Sequence, residues 1–397
     1  MLLSHRVQGI KPSPTLSVTA RAAKLKAEGQ DIIGLGAGEP DFDTPQHIKD
    51  AAIAALQRGF TKYTPVGGTP GLKNAIIAKF KRDNHLHFTP KQILVSVGGK
   101  QSFFNLVLAT INPGDEVIIP APYWVSYPDI VLIAEGTPVI IAAGIDQDFK
   151  ISAAQLAAAI TERTRLVVIN SPSNPSGVTY KLEELHALGE VLRRHPQVLI
   201  ATDDMYEHIL LNDAPFVNIL DACPDLLPRT MVLNGVSKAY SMTGWRIGYA
   251  GGPEPIITAM ENVQSQSTSN PTSIAQVAAE AALNGDQGCI TPMLNAFRER
   301  HAFVLQRLNE IAGLRCIPSG GAFYAFPDAR AAIARLFAAG TLPAGNDLAF
   351  SEYLLETGGV AVVPGSAFGA EGYFRLSFAT SMANLEAALD RIDKALR

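Results

Sequence analysis

The chain has 397 residues, 47% of them hydrophobic, enough for two domains and a large core, because single cores stop growing near about 250–300 residues. A formal charge of −4 with 18% charged residues argues against nucleic acid as the main partner, which would favour a basic face. Cys223, Cys289 and Cys316 form no CxxC pair and the eight histidines show no metal spacing, so neither a disulfide framework nor a metal is expected, and a reducing cytoplasm fits.

MLLSHRVQGIKPSP breaks after three apolar residues and runs into Pro12 and Pro14, so no signal segment is read there. GLGAGEP puts glycines at 34, 36 and 38 as GxGxG and is followed by EPDFDTP instead of a helix, which is not a dinucleotide loop. QILVSV reads as a strand delivering paired glycines to a helix over Lys100–Ile111, and the free amides at such a helix start suit a phosphate. EVIIP and TPVIIA flank a helical pattern over Tyr123–Ala134. VLIAEGTPVIIAAG is the most apolar stretch, but Glu135, Gly136 and Pro138 divide it well short of the ~18 residues of a spanning helix, so no membrane is expected as a partner.

A helix over Ala153–Ile160 precedes the strand RLVVIN, a helix over Leu182–Arg194 precedes VLIATD, and TMVLNG and WRIGYAGG complete seven predicted strands. Runs without polar alternation are buried on both faces, so the pattern is that of an α/β fold with a mostly parallel sheet between helices. After Pro253, long helices are predicted over Glu254–Asn284 and Gln287–Ile311, then a smaller α+β pattern with GAFYAFP, GVAVVPG and YFRLSFA.

Ligands of α/β sheets lie at strand ends. There the sequence puts Asn174 in NSPSNPSG, Asp203 and Tyr206 in DDMYEH, and Lys238 in SKAYSMTGWRIGY. An isolated lysine is ordinarily a solvated surface group. Beside these residues, and with Arg246 eight positions on, Lys238 reads as a nucleophile next to an anion-binding guanidinium. A lysine that joins an aldehyde, a carboxylate that keeps a pyridine nitrogen protonated, and donors at a phenolate oxygen are what pyridoxal phosphate needs.

KPSPT, GAGEPDF, TKYTP, VGGKQ, PYWVSYP, NSPSNPSG, DDMYEH, the lysine motif and FRLSFAT, in this order, resemble the class I and II aminotransferases of fold type I over nearly the whole chain. The resemblance implies a seven-stranded, mostly parallel sheet sandwiched by helices in a large domain over residues 44–290. A smaller α+β domain would combine 291–397 with the N-terminal segment 1–43. It implies pyridoxal 5'-phosphate on Lys238, with Gly99, Lys100, Gln101, Ser237 and Arg246 at the phosphate and Trp124 stacked on the ring. Asp203 would meet the ring nitrogen, and Tyr206 and Asn174 the phenolate oxygen. Tyr63 matches a tyrosine that reaches a partner subunit's phosphate, which implies a homodimer. The family's Ser or Thr three residues before the lysine is Gly235 here, and Ala121-Pro122 and Asn174-Pro175 match cis prolines.

For substrate, Arg375 matches the arginine that grips the α-carboxylate, with the Gly38 amide, Trp124 and Asn174 beside it. The chain resembles the bacterial aspartate aminotransferase and prephenate aminotransferase subgroup, in which Lys100 would meet a distal carboxylate. Ser13 and Thr15 match a segment that closes over substrate, made stiffer by Pro14, and Lys11 matches a lysine associated with prephenate use. The expectation is transamination of L-aspartate with 2-oxoglutarate, with prephenate as a further acceptor. An aromatic or kynurenine-type aminotransferase and a β-lyase share the cofactor residues. A non-catalytic regulator on this fold would carry a DNA-binding extension and a damaged lysine or aspartate.

Overall fold

The computed structural model describes residues 3–10, 12 and 14–397. Twelve strands occur among these residues: β1 (Ile33–Gly34), β2 (Ile93–Ser96), β3 (Glu116–Ala121), β4 (Thr137–Ala142), β5 (Thr164–Asn170), β6 (Leu199–Asp203), β7 (Thr230–Gly235), β8 (Gly248–Gly251), β9 (Tyr324–Ala325), β10 (Val360–Ala361), β11 (Val363–Pro364) and β12 (Phe374–Ser377). The seven strands expected from the apolar runs form one sheet in the order β2-β8-β7-β6-β5-β3-β4. Only β8 runs against its neighbours; the other pairs, β7-β6, β6-β5, β5-β3 and β3-β4, are parallel.

Because side chains alternate across a strand, each strand feeds two hydrophobic layers. Ile93, Val95, Val167, Ile200 and Val232 pack on one face against the helices Gln46–Gln57, Pro70–Asn84, Leu182–Arg193 and Ser273–Asn284. Leu94, Val117, Val168, Ala201 and Leu233 pack on the other against Gly99–Thr110, Ser126–Ile133 and Glu254–Ser265. Removing each such Leu, Ile or Val side chain from water stabilises the fold by about 1.5–3 kcal/mol. β2 and β4 are the edge strands; β2 is buried, and β4 is mostly exposed or half-buried.

The helix expected over Glu254–Asn284 is two helices, Glu254–Ser265 and Ser273–Asn284. Ser269 adopts φ +62° and Pro271 follows Asn270; proline disfavours helical geometry in the residue before it, so the polar run between the helices turns. The expected Tyr123–Ala134 helix begins only at Ser126, and the Gln287–Ile311 pattern opens with a 3-10 turn before Thr291–Glu310. Pro14–Ala27, Gln46–Gln57 and Pro70–Asn84 are helices beyond those expected. Thr69 caps the last of these by accepting from the Leu72 N–H, with Pro70 in the first turn, where its missing N–H costs nothing.

Beside the main sheet, β12 lies between β11 and β9 in an antiparallel sheet, and β1 pairs with β10. The loop after β1 therefore runs past β12: the Ser377 N–H donates to the Leu35 carbonyl at 2.8 Å. Gly36 and Gly38 are thereby held over the ends of β5, β6 and β7.

Candidate active site

The strand ends open into a cavity of about 390 Å³. Gly38, Gly99, Lys100, Trp124, Asn174, Asp203, Tyr206, Ser237, Lys238, Arg246, Arg375 and Thr15 all line it. These residues span most of the sequence, so the chain's topology alone brings them together. Four cationic side chains (Lys100, Lys238, Arg246 and Arg375) face two carboxylates (Glu39 and Asp203), a balance that attracts anionic ligands.

Lys238 lies three residues beyond β7, and its Nζ donates to the Gly38 carbonyl at 2.5 Å. Burial, reinforced by the positive charges of Arg375 and Arg246, lowers its pKa to about 8. A buried amine of this kind is neutral, and so nucleophilic, at lower pH than a surface lysine.

Asp203 ends β6 in register with Asn170 of β5. Burial raises its pKa, opposed by the Tyr127 hydroxyl at 2.5 Å, the Met205 N–H at 3.2 Å and the charge of Lys238. Asn170 Nδ2 donates to the Asp203 carbonyl at 2.9 Å, and Asn170 Oδ1 accepts from the Asn174 N–H at 2.9 Å, so one amide fixes two of the expected site residues. The Ala121-Pro122 and Asn174-Pro175 bonds are cis as expected, and Ser171-Pro172 is cis as well.

Arg375 stands on β12 and is only 2% exposed. Its Nη1 donates to Asn174 Oδ1 at 2.8 Å and its Nη2 to the Gly36 carbonyl at 2.7 Å, while Nε is buried without a partner. No acidic side chain pairs with it among the described residues. A buried cation without a counter-charge is costly unless an anion is supplied, so the geometry is that of a carboxylate receptor.

At the helix Gly99–Thr110, Gly98 adopts φ +84°, and a Cβ there would collide with the Arg246 guanidinium. The first amides of that helix and Arg246 thus form one concave wall, suited to a phosphate by the dipole and the guanidinium fork. A Cβ on Gly235 would lie 3.1 Å from Met205 Cε, Ile247 O and Gly248 Cα, which accounts for glycine where the related motif has a hydroxyl residue. Lys100 Nζ sits 5.2 Å from the centre of the Trp124 ring; burial first, then Arg246, lowers its pKa.

One expectation is not met in this form. The Gln101 N–H, expected to face an anion, donates to the Gly98 carbonyl at 3.0 Å, and its side chain binds the Val97 N–H and Thr268 Oγ1, because the first helical turn closes on itself. Gly38 meets Lys238 through its carbonyl. Tyr63 is 91% exposed and lies outside the cavity of this chain. Lys11 and Ser13 lie outside the described residues. The sequence reading missed Tyr127, Asn170, Glu39 and Tyr324; Glu39 Oε2 accepts from Thr243 Oγ1 at 2.9 Å on the cavity rim. Each lies inside a quoted stretch, Glu39 in GAGEPDF, Tyr127 in PYWVSYP, Asn170 in RLVVIN and Tyr324 in GAFYAFP, but none of these patterns reveals what the side chain meets.

The sequence profile of the family described as Aminotransferase class I and II matches residues 30–392. The chain is 72% identical over 396 residues to the aspartate/prephenate aminotransferase of Nitrosomonas europaea, with 100% of both chains covered. It is 54% identical to that of Cereibacter sphaeroides over 390 residues, covering 98% of this chain and 97% of the relative. The crystal structure of the Rhizobium meliloti aspartate aminotransferase superposes with a TM-score of 0.94 at 50% identity, covering 100% of this chain and 99% of the other. The Thermus thermophilus aspartate aminotransferase with maleate gives 0.93 at 42% identity, covering 100% of both.

Proposed function

The chain belongs to the aminotransferase class I and II family, and from that premise we propose that it moves the amino group of L-aspartate to 2-oxoglutarate, giving oxaloacetate and L-glutamate, with prephenate as a further acceptor. One observation carries this reading. The buried amine of Lys238, the hydrogen-bonded carboxylate of Asp203 and the uncompensated guanidinium of Arg375 face a single cavity.

Pyridoxal 5'-phosphate fits that cavity. The Gly98–Lys100 helix start, Ser237 and Arg246 suit its phosphate, Asp203 its ring nitrogen, Tyr206 and Asn174 its ring oxygen, and Trp124 its face. When bound, it supplies an electron sink for the pair left as the substrate α-proton departs. Lys238 would hold the cofactor until the substrate amine displaces it, and its freed Nζ is then placed to remove and return the proton at the substrate α-carbon. Its release from the Gly38 carbonyl leaves that amine free to move. Asp203, whose charged form the Tyr127 hydroxyl and the Met205 N–H favour against burial, would hold the ring-nitrogen proton.

Arg375 grips the α-carboxylate, assisted by Asn174, and Nε supplies the donor that lacks a partner. Lys100, which lines the same cavity near Trp124, takes a distal carboxylate, and this favours aspartate over an aromatic or kynurenine donor. The dicarboxylate maleate named with the Thermus protein supports the same choice. Thr15 on the helix Pro14–Ala27 borders the mouth, where Lys11 and Ser13 would join it. The exposed Tyr63, with exposed Ile53 and Leu56 on the preceding helix, suits contact with a second copy and its phosphate site. The pairing of β1 with β10 supports grouping residues 1–43 with 291–397 apart from 44–290. Three free cysteines, and the lack of any helix long and apolar enough to cross a membrane among the described residues, are consistent with a cytoplasmic enzyme.

The test is direct: purified protein with pyridoxal phosphate, L-aspartate and 2-oxoglutarate yields oxaloacetate and glutamate in equal amounts, and with prephenate yields the aminated product. Release of ammonia and pyruvate, or turnover confined to aromatic donors, would sink the proposal.

A further inference from the structure

Tyr324 is wholly buried in the cavity wall, yet no step above uses it. It stands on β9 opposite Ser377 of β12, two residues beyond Arg375, and its ring centre lies 4.4 Å from the Arg375 guanidinium carbon. Its hydroxyl oxygen is 2.9 Å from that of Tyr206, and either can donate in that contact. The Tyr324 hydroxyl has no other hydrogen bond among the described residues. The bond therefore joins the main sheet's ligand edge to the small sheet that carries Arg375.

A phenol has one proton. If Tyr206 directs its proton to the cofactor's ring oxygen, the 2.9 Å contact is satisfied only by donation from Tyr324. A hydroxyl that accepts a hydrogen bond becomes a stronger donor, and both tyrosines are buried, which keeps bulk water from substituting for the missing link. A stronger donor at the ring oxygen draws negative charge away from the neighbouring Lys238 nitrogen and lowers that nitrogen's affinity for a proton.

We infer that Tyr324 is a positioning residue of this site: its hydroxyl donates to Tyr206 and thereby sets how firmly Tyr206 holds the cofactor's ring oxygen. The inference rests on the pyridoxal phosphate reading. A tyrosine that only fills space predicts otherwise, because Tyr324 also packs on Phe323 at 4.7 Å and phenylalanine would keep that contact and the ring under Arg375.

The charged groups facing Lys238 are Arg375, Arg246, Glu39 and Asp203, and those facing the Tyr206 hydroxyl are Arg375 and Asp203. Tyr324→Phe alters none of them, so a change in titration would come from the lost hydroxyl. The experiment follows visible absorbance of the cofactor-loaded protein against pH in wild type, Tyr324→Phe, Tyr206→Phe and the double variant. Tyr324→Phe should raise the midpoint by roughly half a pH unit, and should move nothing when Tyr206 is already Phe. A midpoint unmoved by Tyr324→Phe, or moved equally in both backgrounds, overturns the inference while the visible band leaves the cofactor reading intact. A wild-type protein with no pH-dependent visible band overturns both.

Discussion

The Tyr127 hydroxyl donates to Asp203 Oδ2 across 2.5 Å, tying the helix Ser126–Ile133 to the end of β6. Burial alone pushes the Asp203 carboxyl towards its neutral form, and this short, charge-assisted bond is the largest force opposing it.

Tyr127→Phe should therefore let the Asp203 pKa rise further. Since hydrogen bonds to charged groups contribute about 1.5–3 kcal/mol, kcat should fall roughly tenfold or more. The sign is fixed: a carboxylate with a higher pKa loses its charge sooner as pH falls, so the acid limb of the kcat profile should move to higher pH. Steady-state rates across pH check this, and an unmoved acid limb would count against the role of Asp203.

Lys238 gives a second pH signature in the cofactor-free protein. Burial first, then Arg375 and Arg246, brings its pKa from 10.5 to about 8. Below pH 8 both folded and unfolded chains carry the proton, so the cost of charging the buried amine is fully expressed. That cost fades as pH rises towards 10.5, where the unfolded chain also loses the proton. Acylation of the Lys238 peptide, followed by mass spectrometry against pH, should show a midpoint near 8, whereas a midpoint near that of surface lysines contradicts the burial argument.

Behind the site, Lys79 and Glu207 form a fully buried ion pair, with Asn84 Nδ2 and Asn234 Nδ2 donating to the Glu207 carboxylate at 2.7 and 2.8 Å. Burial opposes ionisation of Glu207, but Lys79, His208 and Asn84 outweigh it and hold its pKa at about 2. The pair's stabilisation is thus present above the ordinary glutamate range and is lost as pH falls through about 2. Glu207→Gln leaves Lys79 buried without a counter-charge, so unfolding in denaturant at neutral pH should show a loss of about 3–5 kcal/mol. A loss below about 1 kcal/mol would mean that the ammonium finds other compensation.

The seven-stranded sheet was legible because its strands are short apolar runs, buried on both faces in the interior as Glu116–Ala121 illustrates, while the edge strand β4 kept its apolar pattern without that burial. The helix break near Asn270 was marked by Pro271, but the apolar spacing on either side masked it. The residues brought to one cavity, including Lys238, Asp203 and Arg375, were legible because each closes or interrupts such a run. Tyr127 and Tyr324 were not, since their partners lie 76 and 118 residues away and a buried tyrosine has the same local pattern whether or not its hydroxyl is used. Gln101 was misread because the sequence does not reveal that Gly98 adopts a positive φ and turns its carbonyl onto the Gln101 amide.

The central claim is that Lys238 is the lysine joined to pyridoxal phosphate. Treating the loaded protein with borohydride, digesting it and mapping peptides by mass should find the reduced cofactor on the peptide containing Lys238. Label on Lys100, the other lysine lining the cavity among the described residues, or no label at all, would contradict the account.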